Sequence, residues 1–147
     1  MALLGGGVGG AGNPVGGSFT GPAEALEIIG DHAYAYSGEI QIATSDVTHL
    51  EFTSGNYYFV GNLEALGPTK PAAPNDGNSA LFHLSFNGVG LSTLKMDTEV
   101  EDMPSFVAMD IIIPPYTEVK VVVHSGGTTS NMVTSANLTG RIYRTRD

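Results

Sequence analysis

Residues 106–124 read Phe-Val-Ala-Met-Asp-Ile-Ile-Ile-Pro-Pro-Tyr-Thr-Glu-Val-Lys-Val-Val-Val-His. This stretch holds two runs rich in Val and Ile, residue types that fit the pleated, half-buried surface of a strand. The pair Pro114-Pro115 separates the runs, and neither proline can donate a backbone hydrogen bond to a neighbouring strand. The stretch therefore predicts two strands, near residues 105–113 and 117–124, with a sharp break between them.

The same strand signal extends to both sides of this stretch. Phe82, Leu84 and Phe86 alternate with polar residues, so we expect them to share one buried face. Leu138 and Ile142 alternate with polar residues in the same way near the end of the sequence. We predict further strands near residues 31–36, 38–44, 47–53, 56–63, 79–87, 89–96 and 133–145.

Turn and loop residues separate these predicted strands. Asn87-Gly88 is a pair typical of two-residue hairpin turns. Residues 67–78 contain three prolines and an Asp-Gly pair, which predicts a long surface loop. A helix of one or two turns is conceivable only at residues 23–29.

These features predict an all-β protein, an antiparallel β-sandwich of jelly-roll type. A closed up-and-down barrel is the alternative. The length of 147 residues suits a single domain. The chain has no cysteine, so its core must form without disulfides.

The charge balance and the lengths of the apolar segments argue against two classes of partner. The chain has 15 acidic residues against 6 Lys and Arg, a net charge of −9. Because binding to a phosphate backbone depends on Lys and Arg, we expect no nucleic-acid partner. No segment approaches the ~20 apolar residues that span a bilayer, so we expect no membrane partner.

The composition changes abruptly near residue 24. Residues 1–23 contain no charged side chain and nine of the 20 glycines. Glycine loses the most backbone entropy on ordering, so this segment cannot build a core of its own. We predict an extended N-terminal arm at 1–23 and a sandwich domain at 24–147, with a disordered tail as the alternative to a binding arm. The apolar residues that punctuate the arm are candidate partner contacts: Leu3, Leu4, Val8, Val15 and Phe19.

Half of the basic residues lie within the last seven positions. These are Arg141, Arg144 and Arg146. They are candidate contacts for an acidic partner surface, and a solvated tail is the alternative.

Motifs for catalysis are missing from the sequence. His32, His49, His83 and His124 show no metal-ligand spacing, and we expect the last three on the polar faces of their strands. There is no nucleophile elbow and no cysteine nucleophile. We therefore expect neither an enzyme nor a cofactor or metal site.

Two further clusters leave binding functions open. The acidic run at residues 97–102 could bind Ca²⁺ through carboxylate oxygens, although it lacks the EF-hand pattern and a solvated loop is the alternative. Tyr34, Tyr36, Tyr57 and Tyr58 could stack against sugars or proteins, or they could pack within the sheets.

Five segments carry a resemblance to a known family. They are Gly-Ala-Gly-Asn-Pro-Val-Gly-Gly-Ser-Phe-Thr-Gly-Pro (10–22), Ile-Gly-Asp-His-Ala-Tyr-Ala-Tyr-Ser-Gly (29–38), Leu-Glu-Phe-Thr-Ser-Gly-Asn-Tyr-Tyr (50–58), Ile-Ile-Ile-Pro-Pro-Tyr-Thr-Glu-Val-Lys-Val (111–121) and Leu-Thr-Gly-Arg-Ile-Tyr (138–143). Together they resemble the small jelly-roll decoration, or cement, proteins of tailed bacteriophage capsids.

The resemblance implies a structural viral protein rather than an enzyme. Such a protein is made in the host cytoplasm and binds the outer surface of the assembled capsid. It acts as a homotrimer that clamps neighbouring subunits of the major capsid protein, often with an extended N-terminal arm. The alternative function is a carbohydrate-binding sandwich module of a phage fibre or attachment structure, with Tyr57 and Tyr58 beside a Ca²⁺-binding acidic loop.

Overall fold

A computed structural model of the chain describes residues 21–69, 79–97, 106–126 and 132–144. All regular secondary structure within these ranges is β. The strands are β1 (Glu27–Ile29), β2 (His32–Tyr36), β3 (Ile40–Ile42), β4 (Val47–Thr53), β5 (Tyr57–Thr69), β6 (Ser79–Phe86), β7 (Val89–Asp97), β8 (Phe106–Ile113), β9 (Glu118–Ser125) and β10 (Met132–Arg144).

The strands form two antiparallel sheets. The six-stranded sheet has the order β1-β2-β10-β5-β8, and β3 pairs with β10 beyond the end of β2. The four-stranded sheet has the order β4-β9-β6-β7. The predicted all-β sandwich is confirmed.

The strand pairs are nested like a single long hairpin that has been rolled up. The hairpin β6–β7 lies inside the pair β5–β8, which lies inside β4–β9, which in turn lies inside β2–β10. The pairs β6–β7 and β4–β9 lie in the four-stranded sheet, and the pairs β5–β8 and β2–β10 lie in the six-stranded sheet. This is the strand order of a jelly roll. The alternative fold, a closed up-and-down barrel, is excluded because the strands form two separate sheets.

The core lies between the two sheets. Val119, Val121 and Val123 of β9 are buried, as their alternation predicts, and they belong to the same core as Phe59 and Leu138 of the other sheet. Burying a large apolar side chain of this kind contributes about 1.5–3 kcal/mol before entropy losses. The alternation therefore reports the burial of this strand correctly.

The break between β8 and β9 is fixed by one buried serine. Ser54 Oγ donates a hydrogen bond to the carbonyl oxygen of Pro114 at 2.7 Å and accepts one from the backbone N–H of Thr117 at 2.9 Å. Between them Tyr116 adopts a positive φ of 55°. The prolines end β8, as predicted, and Ser54 holds the turn that follows.

The predicted hairpin turn at Asn87-Gly88 is confirmed. Both residues have positive φ, 50° and 79°, as a type I′ turn requires. The Oδ1 atom of Asn87 also accepts a hydrogen bond from the backbone N–H of Glu118 at 2.9 Å. The turn is thereby joined to the start of β9.

Two predictions at element boundaries are wrong. Residues 23–29 form no helical turn; they contain β1, which pairs with β2 through a tight turn at Gly30, where φ is 65°. The loop expected from residue 67 begins later, because β5 continues to Thr69 and pairs there with Val133 of β10. Residues 70–78 of that loop lie outside the described residues.

Two glycines face each other in the centre of the six-stranded sheet. Gly61 of β5 lies directly opposite Gly140 of β10. A Cβ atom added at Gly61 would meet the carbonyl oxygen of Thr139 first, and one added at Gly140 that of Val60. Each would also lie close to Phe59 Cζ, at 2.6 Å and 2.7 Å. The buried Phe59 ring therefore covers both glycines and fills the space that side chains would otherwise occupy.

We expect Gly140→Ala to destabilise the fold. The added methyl group must displace Phe59 or separate β5 from β10, and overpacking of this kind costs about 1–3 kcal/mol. Urea denaturation measures the change in the free energy of unfolding. Gly90→Ala is the control, because a Cβ atom there would meet nothing within 4 Å. Equal losses in the two variants would contradict this account of the glycine pair.

Candidate functional site

Most of the predicted arm lies outside the described residues. This applies to Leu3, Leu4, Val8, Val15 and Phe19. Nothing in the structure therefore bears on how these side chains are placed.

The root of the arm belongs to the sandwich. Ala23 is fully buried, its N–H donates to the carbonyl oxygen of His49 at 3.0 Å, and its carbonyl oxygen accepts from the N–H of Glu51 at 2.9 Å. The carbonyl oxygen of Gly21 accepts from the N–H of Gly38 at 2.8 Å. Ala23, which the sequence placed in the arm, is thus bonded to the edge of β4, and Gly21 is bonded to the segment between β2 and β3.

Two of the three candidate arginines lie on β10, and Arg146 lies outside the described residues. Arg141 is exposed on the outer face of the six-stranded sheet, with Nη1 3.9 Å from Oδ2 of Asp31. An exposed ion pair at this distance contributes little to stability. Arg144 is also exposed, near the end of the strand.

The outer face of the six-stranded sheet combines tyrosines with exposed apolar residues. Tyr58 lies opposite Tyr143, and Val60 lies between Arg141 and Ile112 in the next row. All five side chains are exposed, Ile112 by 60% and Tyr143 by 53%. This end of the face is an apolar patch, which we call the Tyr58–Ile112 patch.

The tyrosine cluster predicted from the sequence is divided by the sheet. Tyr34 and Tyr36 lie on the outer face with ring centroids 5.0 Å apart. Tyr58 is on the same face, whereas Tyr57 packs against the core on the other side of β5. The sequence missed Tyr143, because only the β5–β10 register brings it to Tyr58.

The prediction that His49 lies on a polar face is wrong. His49 is fully buried, and so is its neighbour Leu50. The reason is a β-bulge: Thr48 lies opposite Val122 and Leu50 opposite Val121, so His49 is an extra residue in β4. The bulge shifts the alternation by one position and turns His49 into the core.

The buried imidazole of His49 is fully hydrogen-bonded in its neutral form. Nδ1 lies 3.0 Å from the carbonyl oxygen of Val47, which can only accept, so Nδ1 carries the proton. Nε2 then accepts from the Thr134 hydroxyl at 2.7 Å. Burial lowers the pKa of His49 below its usual value of 6.5, and hydrogen bonding to the backbone of Val47 and Thr134 offsets this only partly.

We expect His49 to make the fold less stable in acid. An unfolded histidine binds a proton as the pH falls through about 6.5, whereas folded His49 does so only at lower pH. The unfolded state therefore binds more protons, and stability falls by up to about 1.4 kcal/mol per pH unit in this range. Urea midpoints between about pH 7.5 and about pH 5.5 should fall less steeply in His49→Gln than in the wild type.

His32→Gln is the matched control for this prediction. His32 is exposed, and Nε2 lies 3.5 Å from Oδ1 of Asp31 on the surface. Its replacement should leave the pH dependence of the wild type nearly unchanged. An identical slope in His49→Gln and the wild type would rule out the buried imidazole as its cause.

The structure brings His83 of β6 and His124 of β9 together. Both lie on the outer face of the four-stranded sheet, as their alternation predicts, and their Nε2 atoms are 2.9 Å apart. His83 Nδ1 lies 2.9 Å from the Thr93 hydroxyl, and His124 Nδ1 lies 3.1 Å from the carbonyl oxygen of Ser125. The sequence could not show this pair, because it depends on β6 lying beside β9.

The histidine pair forms part of the wall of an open groove. Asp46, Ser92 and Leu91 line the same groove. Leu91 lies on the same face of β7 as Thr93, two residues further on, and a register shift between β6 and β7 leaves Leu91 without a direct partner. We call this the histidine groove.

The remaining acidic candidates do not gather into a metal site among the described residues. Asp97 ends β7, and residues 98–102 of the acidic run lie outside the described ranges. The described parts of the chain contain no group of three or more His, Asp or Glu that could hold a metal ion. Within the same parts, Glu27 Oε1 is buried without a hydrogen-bond partner, and burial raises the pKa of this carboxyl.

The comparisons with known proteins leave the family open. No protein-family model matches the chain, and no curated protein matches it. The residues that the structure describes include no helix of sufficient length and apolar character to span a membrane.

Proposed function

We propose that this chain is a structural viral protein that decorates and stabilises the outer surface of an assembled phage capsid. It acts as a homotrimer, and its partner is the major capsid protein. The uncharged N-terminal segment and the sandwich each contribute contacts, so that one subunit clamps neighbouring capsid subunits. The proposal assigns no catalytic role to the chain.

The observation that carries the proposal is the anchored root of the arm. A clamp works only if the segment that grips is joined firmly to the body. Ala23 meets this need, because its two backbone hydrogen bonds and full burial fix the chain to the edge of β4. Residues 1–20 precede this anchor, and they carry apolar residues but no charge.

The Tyr58–Ile112 patch supports a second contact from the sandwich itself. Val60, Ile112 and the tyrosine pair expose apolar area next to Arg141. Aromatic residues and arginine are enriched in the centres of protein interfaces. Contiguous exposed apolar surface on a soluble protein is often a site of association. A capsid surface that carries acidic groups beside an apolar strip would fit this patch.

We expect the double variant Val15→Asp, Phe19→Asp to lose capsid binding. Two carboxylates in an uncharged, apolar contact segment would be desolvated without partners, at a cost of several kcal/mol. Co-sedimentation with capsids of the virus that encodes the chain measures the bound fraction. The contribution of the arm to binding should depend little on salt, since the arm has no charges to screen.

Val89→Asp is the matched control, because Val89 is 64% exposed and lies in β7 of the other sheet. It should bind capsids like the wild type. The mass of the free protein tests the homotrimer, which should weigh about 46 kDa, three times the 15.3 kDa of one chain. Full binding by the arm variant would overturn the role of the arm, and a 15.3 kDa species alone would overturn the trimer.

The outer face of the six-stranded sheet, which we call the tyrosine face, gives specific support to the alternative function, a carbohydrate-binding module. Tyr34 and Tyr36 are only partly buried and lie in rows with Asn137 and Thr139 of β10. Aromatic rings beside amide and hydroxyl groups can stack on sugar rings and hydrogen-bond their hydroxyls. Tyr57 no longer supports this function, because it packs against the core.

If the tyrosine face binds glycans, Tyr36→Ala should abolish the signal on a glycan array. The substitution removes one of the two adjacent rings while leaving the backbone pairing of β2 with β10. Tyr116→Ala is the control, since Tyr116 is 71% exposed in the turn between β8 and β9. A wild-type array that stays blank both with Ca²⁺ and with a chelator would eliminate this alternative.

A further inference from the structure

The hydrogen bonds around the histidine pair fix where protons can lie. The carbonyl oxygen of Ser125 can only accept, so His124 Nδ1 carries a proton and its Nε2 has a free lone pair. The Thr93 hydroxyl can donate to His83 Nδ1 or accept from it. When it accepts, both Nε2 atoms present lone pairs to each other across 2.9 Å.

Two lone pairs at this distance repel unless a cation lies between them. In the protein alone, a proton serves, because His83 Nε2–H can donate to His124 Nε2. The ring centroids are 5.0 Å apart, which is 2.1 Å more than the 2.9 Å between the nitrogens, and the ring planes differ by 16°. This difference is greatest when both nitrogens lie on the line that joins the ring centres, and the observed value is close to that limit. The nitrogens therefore lie nearly between the ring centres, as in a direct N–H···N hydrogen bond.

We propose that His83 and His124 together bind a divalent transition-metal ion of the Cu²⁺ or Ni²⁺ type. With metal–nitrogen bonds of about 2.0–2.1 Å, nitrogens 2.9 Å apart subtend about 90° at the metal. This angle is that of neighbouring ligands in square-planar or octahedral coordination, whereas tetrahedral Zn²⁺ requires a wider separation. Metal–nitrogen bonds of about 2.0–2.1 Å place the ion beside the line that joins the two nitrogens, so each ring must turn by about 45° to point its lone pair at the ion.

The surroundings of the pair suit metal ligands. A histidine that binds a metal usually donates its other ring N–H to a carbonyl, hydroxyl or carboxylate acceptor. Ser125 and Thr93 offer such acceptors to His124 and His83. When the ion binds, the shared proton leaves His83 Nε2 and His83 takes up a proton at Nδ1, which donates to the Thr93 hydroxyl, so the pair stays neutral without a net loss of protons.

The histidine groove leaves room for the remaining ligands. It is open, so water can complete the coordination, and Asp46 on the same wall adds negative charge. Because the described residues provide no third His, Asp or Glu in a ligand group, the site offers two protein ligands. It is therefore weaker than a three-histidine site and prefers imidazole-seeking ions to Ca²⁺ or Mg²⁺.

The test is titration of the full, untagged chain with CuSO₄ and NiCl₂, followed by calorimetry and, for copper, electron paramagnetic resonance. The wild type should bind one ion and show coupling to two nitrogens. His83→Ala and His124→Ala should each lower the affinity at least about tenfold, and Thr93→Val should lower it by a similar or smaller factor. His32→Ala is the control and should bind like the wild type.

The outcomes are separable from effects on folding. Both histidines lie on the outer face of their sheet and are partly buried. Because their replacement can change the stability of the fold, the thermal midpoint of each variant is measured together with its metal affinity. Unchanged affinity in both alanine variants with retained folding would overturn the site, as would loss of binding in His32→Ala. If either variant fails to fold, His83→Gln and His124→Gln replace it, with the same expected loss of the two-nitrogen signal.

Discussion

The pairing of β10 with β5 is the interaction on which the rest of the sandwich depends. This ladder extends from Arg144 and Tyr57 to Val133 and Thr69, while the other edge of β10 pairs with β2 and β3. Because side chains alternate along a strand, its register determines which residues face the core. The Gly61–Gly140 contact under Phe59 allows only one close approach, so it disfavours a slipped register.

The ladders contain an irregularity near each of the two histidine environments. The bulge in β4 inserts His49 beside Leu50 and gives the core a neutral, fully bonded imidazole. The register shift between β6 and β7 leaves Leu91, which lines the histidine groove, without a direct partner. In β4 the extra residue changes the face that a side chain reaches, and in both places the extra residue disrupts the ladder locally.

The sequence predicted the positions of the strands better than it predicted which strands lie next to one another. Strands such as β4 and β9 were found because alternation and turn residues are local signals. The face of His49 was wrong because nothing in the sequence marks a bulge that contains no glycine. The contacts of His83 with His124, and of Tyr58 with Tyr143, join strands distant in sequence. They require the strand order, which hydrophobic periodicity does not encode.

The two outer faces of the sandwich have different chemistry and can act independently. The six-stranded sheet presents tyrosines, apolar side chains and Arg141, while the four-stranded sheet presents the histidine groove. Packed sheets are about 10 Å apart, and the hydrophobic core separates their outer faces. A large partner seated on the tyrosine face would therefore leave His83 and His124 open to solvent. A partner that also wraps around an edge of the four-stranded sheet, at β4 or at β7, could reach the histidine groove and couple the two faces.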